Sequence, residues 1–153
     1  MRKTIDAVIR NVLIFLMGVL VLTVVWQVFT RYVLQSPSTY TDELARFLLI
    51  WVGLLGGAYL SGQNSHVAID ILHRYLTEES RRKLNIFIRM LVTLFVVSVF
   101  IIGGSYLVYI TYASWQITPA LQLPMAAVYL IGPVSGLLIT YYNLSDIKNL
   151  MKN

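Results

Sequence analysis

Cysteine is absent from the 153 residues, which excludes disulfides, thiolate metal sites and iron–sulfur clusters while leaving the compartment open. Charge is scarce: Asp, Glu, Lys and Arg make up 12% of the chain, against roughly 25% in an ordinary soluble domain. With 58% of its residues hydrophobic, so short a chain has too little interior to hide its apolar surface from water. Lipid is the expected solvent for much of it. Linker-like Pro, Ser or Gly tracts are also missing, and the length leaves no room for a separate catalytic module. No GxGxxG, P-loop, Ser-His-Asp or HExxH pattern is present, and no pair of histidines lies inside an apolar run where it could ligate haem. An enzyme is therefore not expected, nor a cofactor. The net charge of +5 comes from basic residues that flank apolar runs instead of forming a patch, which points to an anionic membrane surface and away from nucleic acid.

What is present is a set of apolar runs of membrane-crossing length. The twenty residues from Asn11 to Thr30 carry no formal charge, about what a helix needs to cross a hydrocarbon core. No small-x-small cleavage pattern follows, so the run is expected to remain as the first span. A polar turn around Ser36, Pro37 and Ser38 precedes the second run, which reaches full length only if its helix starts near Tyr40 to Asp42 and continues through Gly62. From Met90 to Ser145 there is no formal charge over 56 residues, and Thr118, Pro119 and Pro124 divide the stretch in two. Pro133 cannot donate to the carbonyl of Tyr129, which predicts a kink in the last span. The expected fold is an all-α membrane protein, one integral membrane domain over residues 1–153. Its four spans cover about 11–34, 41–62, 84–112 and 125–143.

Ten of the twelve basic residues fall in the N-terminal tail, the segment between spans two and three, and the C-terminal tail, whereas only Arg31 and Arg46 fall on the other side. The positive-inside rule then predicts that both termini are cytoplasmic. Between spans two and three, Ile69, Leu72 and Leu76 share one helical face with His66, Asp70 and His73 elsewhere, the pattern of a short amphipathic helix on the cytoplasmic membrane surface. The i, i+4, i+7 spacing of His66, Asp70 and His73 also suits metal ligands, but a wet interfacial face requires polar residues at the same positions and no fourth ligand is near, so no metal site is expected. Thr77, followed by Glu78 and Glu79, has the character of an N-cap for the third helix. Tyr106, Tyr109, Tyr112 and Trp115 form an aromatic series suited to an interfacial belt.

The sharper feature is the group Arg31, Asp42, Glu43 and Arg46, two cations and two anions near one interface, with Asp42 and Arg46 at i, i+4. Arg31 closes span one where Asp42 and Glu43 open span two, so a bridge across the hairpin is expected, either to set helix packing or to dock another protein. Snorkelling of the basic side chains is the competing reading. Gly53, Gly56 and Gly57, with Ala58 and Ser61, would let a neighbouring helix approach closely. No Asp, Glu, Lys or His lies in the middle of any span, although ion-coupled carriers commonly place such groups there.

The run Tyr40-Thr-Asp42-Glu43-Leu-Ala-Arg46-Phe-Leu-Leu-Ile-Trp51-Val-Gly-Leu-Leu-Gly56, followed by His66-Val-Ala-Ile-Asp70, resembles the small membrane subunit of tripartite ATP-independent periplasmic (TRAP) transporters, the DctQ-like small permeases. Arg31-Tyr32 and Pro119-Ala-Leu-Gln-Leu-Pro124 extend the resemblance over nearly the whole chain, with Tyr40 where such subunits often carry Trp. The resemblance implies a bacterial inner-membrane uptake system in which a periplasmic binding protein captures an organic acid of the sialic acid or C4-dicarboxylate type. A large multi-span permease, which binds most of the coupling sodium, carries it inward, and the small subunit extends that permease's static scaffold. Two readings of other classes stand beside it: a self-sufficient homo-oligomeric transporter and a four-helix anchor for a redox enzyme.

Overall fold

The computed structural model describes residues 2–63 and 78–152. The amphipathic segment with His66, Asp70 and His73, and the Thr77 cap, lie outside the described residues. Helix α1 runs over Arg2–Tyr32 and α2 over Thr39–Gly62. The third span is assembled from α3 (Glu78–Val96), a π-helical stretch (Val97–Gly103) and α4 (Gly104–Ala113), and the fourth from α5 (Met125–Tyr129) and α6 (Ile131–Lys152). All four spans are long and apolar enough to cross a membrane. Helices α1 and α6 also run past the expected spans, to Arg2 and Lys152, because the charged turns beyond the apolar runs keep helical hydrogen bonding where water can solvate their side chains.

The four spans alternate in direction, so the start of α1, the end of α2, the start of α3 and the end of α6 share one end of the bundle, here the terminal end. The turns at 33–38 and 114–124 share the other, the loop end. Helix α2 packs along both α1 and α6, and α6 packs along α3 and the π stretch, whereas α1 makes no substantial contact with α5. Large apolar side chains of α1 and span three, such as Phe15, Leu22, Leu94 and Ile102, point outward, as lipid-facing residues do.

Spans three and four meet where both depart from regular α geometry. Pro133 supplies no N–H for the carbonyl of Tyr129, and the regular helix is interrupted at Leu130, near where the sequence predicts a kink, with the Leu130 backbone still in the right-handed helical region. Opposite lies the π stretch, which the sequence does not announce. Small residues make this contact possible: a Cβ on Gly104 would lie 3.0 Å from Pro133 Cδ, and one on Gly136 would lie 2.8 Å from Phe100 Cβ. The π turn widens the helix locally and presents Phe100 and Ile101 to Gly136, a common use of such bulges. At the loop end α4 stops in a Schellman arrangement, with Gln116 N–H donating to Thr111 O at 3.1 Å and Trp115 N–H to Tyr112 O at 3.1 Å. Trp115 occupies the left-handed position, φ 48°, that glycine usually fills, and it is largely exposed beside Tyr112.

Candidate functional site: two polar clusters at opposite ends of the bundle

At the loop end Asp42 and Glu43, adjacent on the first turn of α2, diverge to different partners. Asp42 Oδ2 pairs with Arg46 NH2 at 2.5 Å, one helical turn along. Its Oδ1 accepts from Gln27 Nε2 of α1 at 2.8 Å. The hairpin is therefore bridged by Gln27: of the two cations expected to approach the acidic pair Arg46 does so, within its own helix, and the bridge expected from Arg31 across the hairpin is corrected. Gln27 lies on the α1 stripe with Thr23 and Thr30, at i, i+4 and i+7, that is buried against α2, so its amide reaches Asp42. Arg31 is exposed and makes no ion pair among the described residues.

Glu43 turns the other way, toward the segment that precedes span four. Its Oε2 accepts the backbone N–H groups of Ala120 at 3.0 Å and Leu121 at 2.7 Å. This loop carries no charge of its own, and its two converging N–H groups make a small anion cradle that the Glu43 carboxylate fills. The loop is closed below by Thr118, almost wholly buried. Its N–H donates to Leu123 O at 2.9 Å, and its Oγ1 accepts from Leu123 N–H at 3.0 Å. Arg46 stays largely exposed and, with Thr39, Tyr40, Asp42, Glu43, Phe47, Pro119 and Ala120, lines a hollow of about 570 Å³.

A second cluster closes the terminal end and draws on all four spans. Asp146 of α6, 5% exposed, receives Arg2 NH1 of α1 at 2.5 Å and Arg89 NH1 of α3 at 2.8 Å. Arg2 also donates from NH2 to the carbonyl of Gly62, the last residue of α2, and its guanidinium lies 5.5 Å from the centre of the Tyr142 ring. Tyr142 OH donates to Asp6 Oδ1 at 2.5 Å. Gly62 is required here, since a Cβ would stand 2.8 Å from Tyr142 Cζ. Two cations share one buried anion, and Asp6 adds a second negative charge through Tyr142, so the cluster is close to neutral.

In both clusters the charged groups are tied to partners on other helices or on the loop before span four, an arrangement suited to holding helices together. A family model for the DctQ component of tripartite ATP-independent periplasmic transporters matches residues 20–153. The chain belongs to that family. It is 28% identical over 152 residues to the sialic acid TRAP transporter small permease protein SiaQ of Vibrio cholerae, covering 99% of this chain and 86% of that one. It is 29% identical over 153 residues to the ectoine TRAP transporter small permease protein TeaB of Halomonas elongata, covering 96% and 78%. It is also 29% identical over 102 residues to the C4-dicarboxylate TRAP transporter small permease protein DctQ of Rhodobacter capsulatus, covering 67% and 44%.

As a DctQ component the chain is a multi-pass inner-membrane part of a transport system and not an enzyme. Its Gly53, Gly56 and Gly57 have nothing within 4 Å of where a Cβ would stand, so among the described residues no neighbouring element packs closely at these positions. The glycines that do permit close packing within this DctQ component are Gly62, Gly104 and Gly136. Sequence reasoning missed the terminal-end cluster altogether. The one signal for it was that Asp146 is the only acidic residue after Glu79, in a tail otherwise basic.

Proposed function

We propose that this chain is the small, non-transporting scaffold subunit of a sodium-coupled organic-acid uptake system. It pairs with a large multi-span permease supplied by a periplasmic binding protein. The observation that carries the reading is the uncovered face of α2, where Gly53 and Gly57 are exposed and open below the Asp42–Arg46 pair. A helix of the large permease laid on this face could approach the α2 backbone closely, as small residues allow in membranes. The substrate is an organic acid of the sialic acid or C4-dicarboxylate type. Relatives named for sialic acid, ectoine and C4-dicarboxylates are about equally similar to this chain, which fits a subunit that does not contact substrate. Sodium is held mainly by the large permease, because the spans here carry no acidic group near the middle.

Leu substitutions at Gly53 or Gly57 are expected to reduce co-purification with the large permease, while leaving the thermal stability of the isolated chain unchanged. Undiminished co-purification would remove this face from the interface.

We further propose that the termini are cytoplasmic and the loop end periplasmic, on the ten-to-two split of basic residues. Cysteines introduced at Ser38 or Gln122 are expected to react with an impermeant thiol reagent in intact spheroplasts, and a cysteine at Ser80 is not. The opposite pattern would invert the topology.

A further inference from the structure

The loop-end halves of spans three and four form a unit of their own, an arm over residues 104–129. Helices α4 and α5 pack on each other, and the loop between them is closed by its own bonds: Met125 N–H donates to Gln116 O at 2.9 Å, and Thr118 and Leu123 bond each other twice. Neither helix of the arm makes substantial contact with α1 or α2, and their contact with α6 is slight. The arm joins the rest of the bundle through two irregular segments at one level, the π stretch that ends at Gly103 and the break at Leu130 before Pro133. A widened turn and a turn that lacks one backbone bond are where spans bend, and here they stand side by side, with Gly104 against Pro133.

Toward α2 the arm faces hollows at three levels: about 570 Å³ beside Pro119 and Ala120, about 240 Å³ beside Leu123 and Ala127, and about 240 Å³ where Ile50 and Leu54 of α2 face Gly103 and Gly104. Among the described residues, the hydrogen bonds that cross from α2 are those of the Glu43 carboxylate to the N–H groups of Ala120 and Leu121, and of the Trp51 indole N–H to Val128 O at 3.1 Å. A segment with few packed contacts across its boundary, held by a few polar bonds, is one that opens locally. Val128 lies beside the pivot, but Glu43 grips the far end of the arm, about 15 Å away by the length of α4, where a bond has the greatest leverage. We propose that residues 104–129 are a hinged arm that pivots at the π stretch and the Pro133 break, with Glu43 as the latch that holds it against α2. The Asp146 ion pairs lie on the other side of the pivot, so the terminal-end half stays one body while the arm swings.

The test measures spin-label distances in the full chain in nanodiscs, where the absence of native cysteine lets two introduced cysteines report alone. One pair joins Leu49 of α2 to Tyr109 of the arm, and a control pair joins Leu49 to Leu94, below the pivot; all three positions are exposed. In the parent each pair is expected to give one main distance. Glu43→Ala removes the charge-assisted bonds at the tip, so it is expected to raise the ratio of a second Leu49–Tyr109 distance to the first about tenfold, with the Leu49–Leu94 distance unchanged. Trp51→Phe, which keeps a ring and loses one neutral bond, is expected to have a smaller effect. Pro133→Ala, which returns an N–H to the Tyr129 carbonyl, is expected to suppress the second distance in the Glu43→Ala background. An unchanged Leu49–Tyr109 distribution in Glu43→Ala would overturn the proposal, because it describes a loop that loosens without moving α4. Equal changes in both pairs would overturn it by placing the motion outside the arm, and a second distance indifferent to Pro133→Ala would overturn it by removing the pivot.

Discussion

Asp146 is where the consequences of a single atom change are largest. Its carboxylate is buried and holds two guanidinium groups, so removing its charge leaves Arg2 and Arg89 facing each other with no anion between them. Breaking a buried pair from one side costs about 3–5 kcal/mol, because the remaining charge is uncompensated. Asp146→Asn is therefore expected to lower the unfolding midpoint of the purified chain sharply, while Lys148→Ala, at an exposed position two residues along, is expected to fall within about 0.5 kcal/mol of the parent. Comparable midpoints for both would mean that the cluster contributes nothing. Glu43 acts on a different object, the backbone of the loop before span four. Charge-assisted hydrogen bonds are worth about 1.5–3 kcal/mol, so Glu43→Ala is expected to speed amide exchange at Ala120 and Leu121. Exchange at Leu123, which Thr118 holds independently, is expected to change little. The Asp42–Arg46 pair, by contrast, is exposed, and its contribution to the fold is at most about 1 kcal/mol.

Between elements, contact is decided by a few small residues set against large ones. Gly62→Val would drive its side chain into the Tyr142 ring and disturb the Arg2 donation to the Gly62 carbonyl, an overpacking change that costs about 1–3 kcal/mol. The expected outcome is a lower unfolding midpoint for Gly62→Val than for Gly57→Val, read in the isolated chain, and an equal loss would contradict the packing described. This contrast also marks how far the sequence could be read. The four spans were legible because uncharged runs of membrane length have one structural meaning in lipid, and Pro133 was legible because a missing N–H acts on its own helix. Gly53, Gly56 and Gly57 stood out as a group within one span, yet the glycines that pack within the chain are dispersed over three spans. Close approach depends on which face meets which neighbour, and a single-chain pattern does not contain that. The Arg31 bridge failed for the same reason: proximity to the turn was visible, but the 40° or so between neighbouring positions on a helix face gave Asp42 to Gln27. The terminal-end cluster joins residues 57 to 144 positions apart, beyond any local spacing rule. The π stretch has no distinguishing composition at all.

For the whole molecule, the decisive property is how little of its surface is arranged to do chemistry. Among the described residues the ionised side chains are gathered toward the two ends, tied into helix–helix or helix–loop contacts or standing at the interfaces, and the middle of each span carries no ionised group. A carrier that couples an ion to a solute needs groups near the midplane whose occupancy changes during the cycle, and it needs two packings of its helices of similar free energy. Here the terminal-end cluster links all four spans at once, so rocking one against another would break buried ion pairs, which favours a body that moves as a unit. Such a body suits a fixed support against which a larger partner moves. The expected outcome is that liposomes holding only this chain and the soluble binding protein show no sodium-driven uptake, while removing the chain from the complete system abolishes or severely reduces uptake. The affinity of the soluble binding protein for its substrate is expected to stay the same in both cases, since that protein binds before the membrane parts engage. Sodium-driven accumulation by the chain and binding protein alone would reverse the assignment, and would require the polar groups at the two ends to form the transport path themselves.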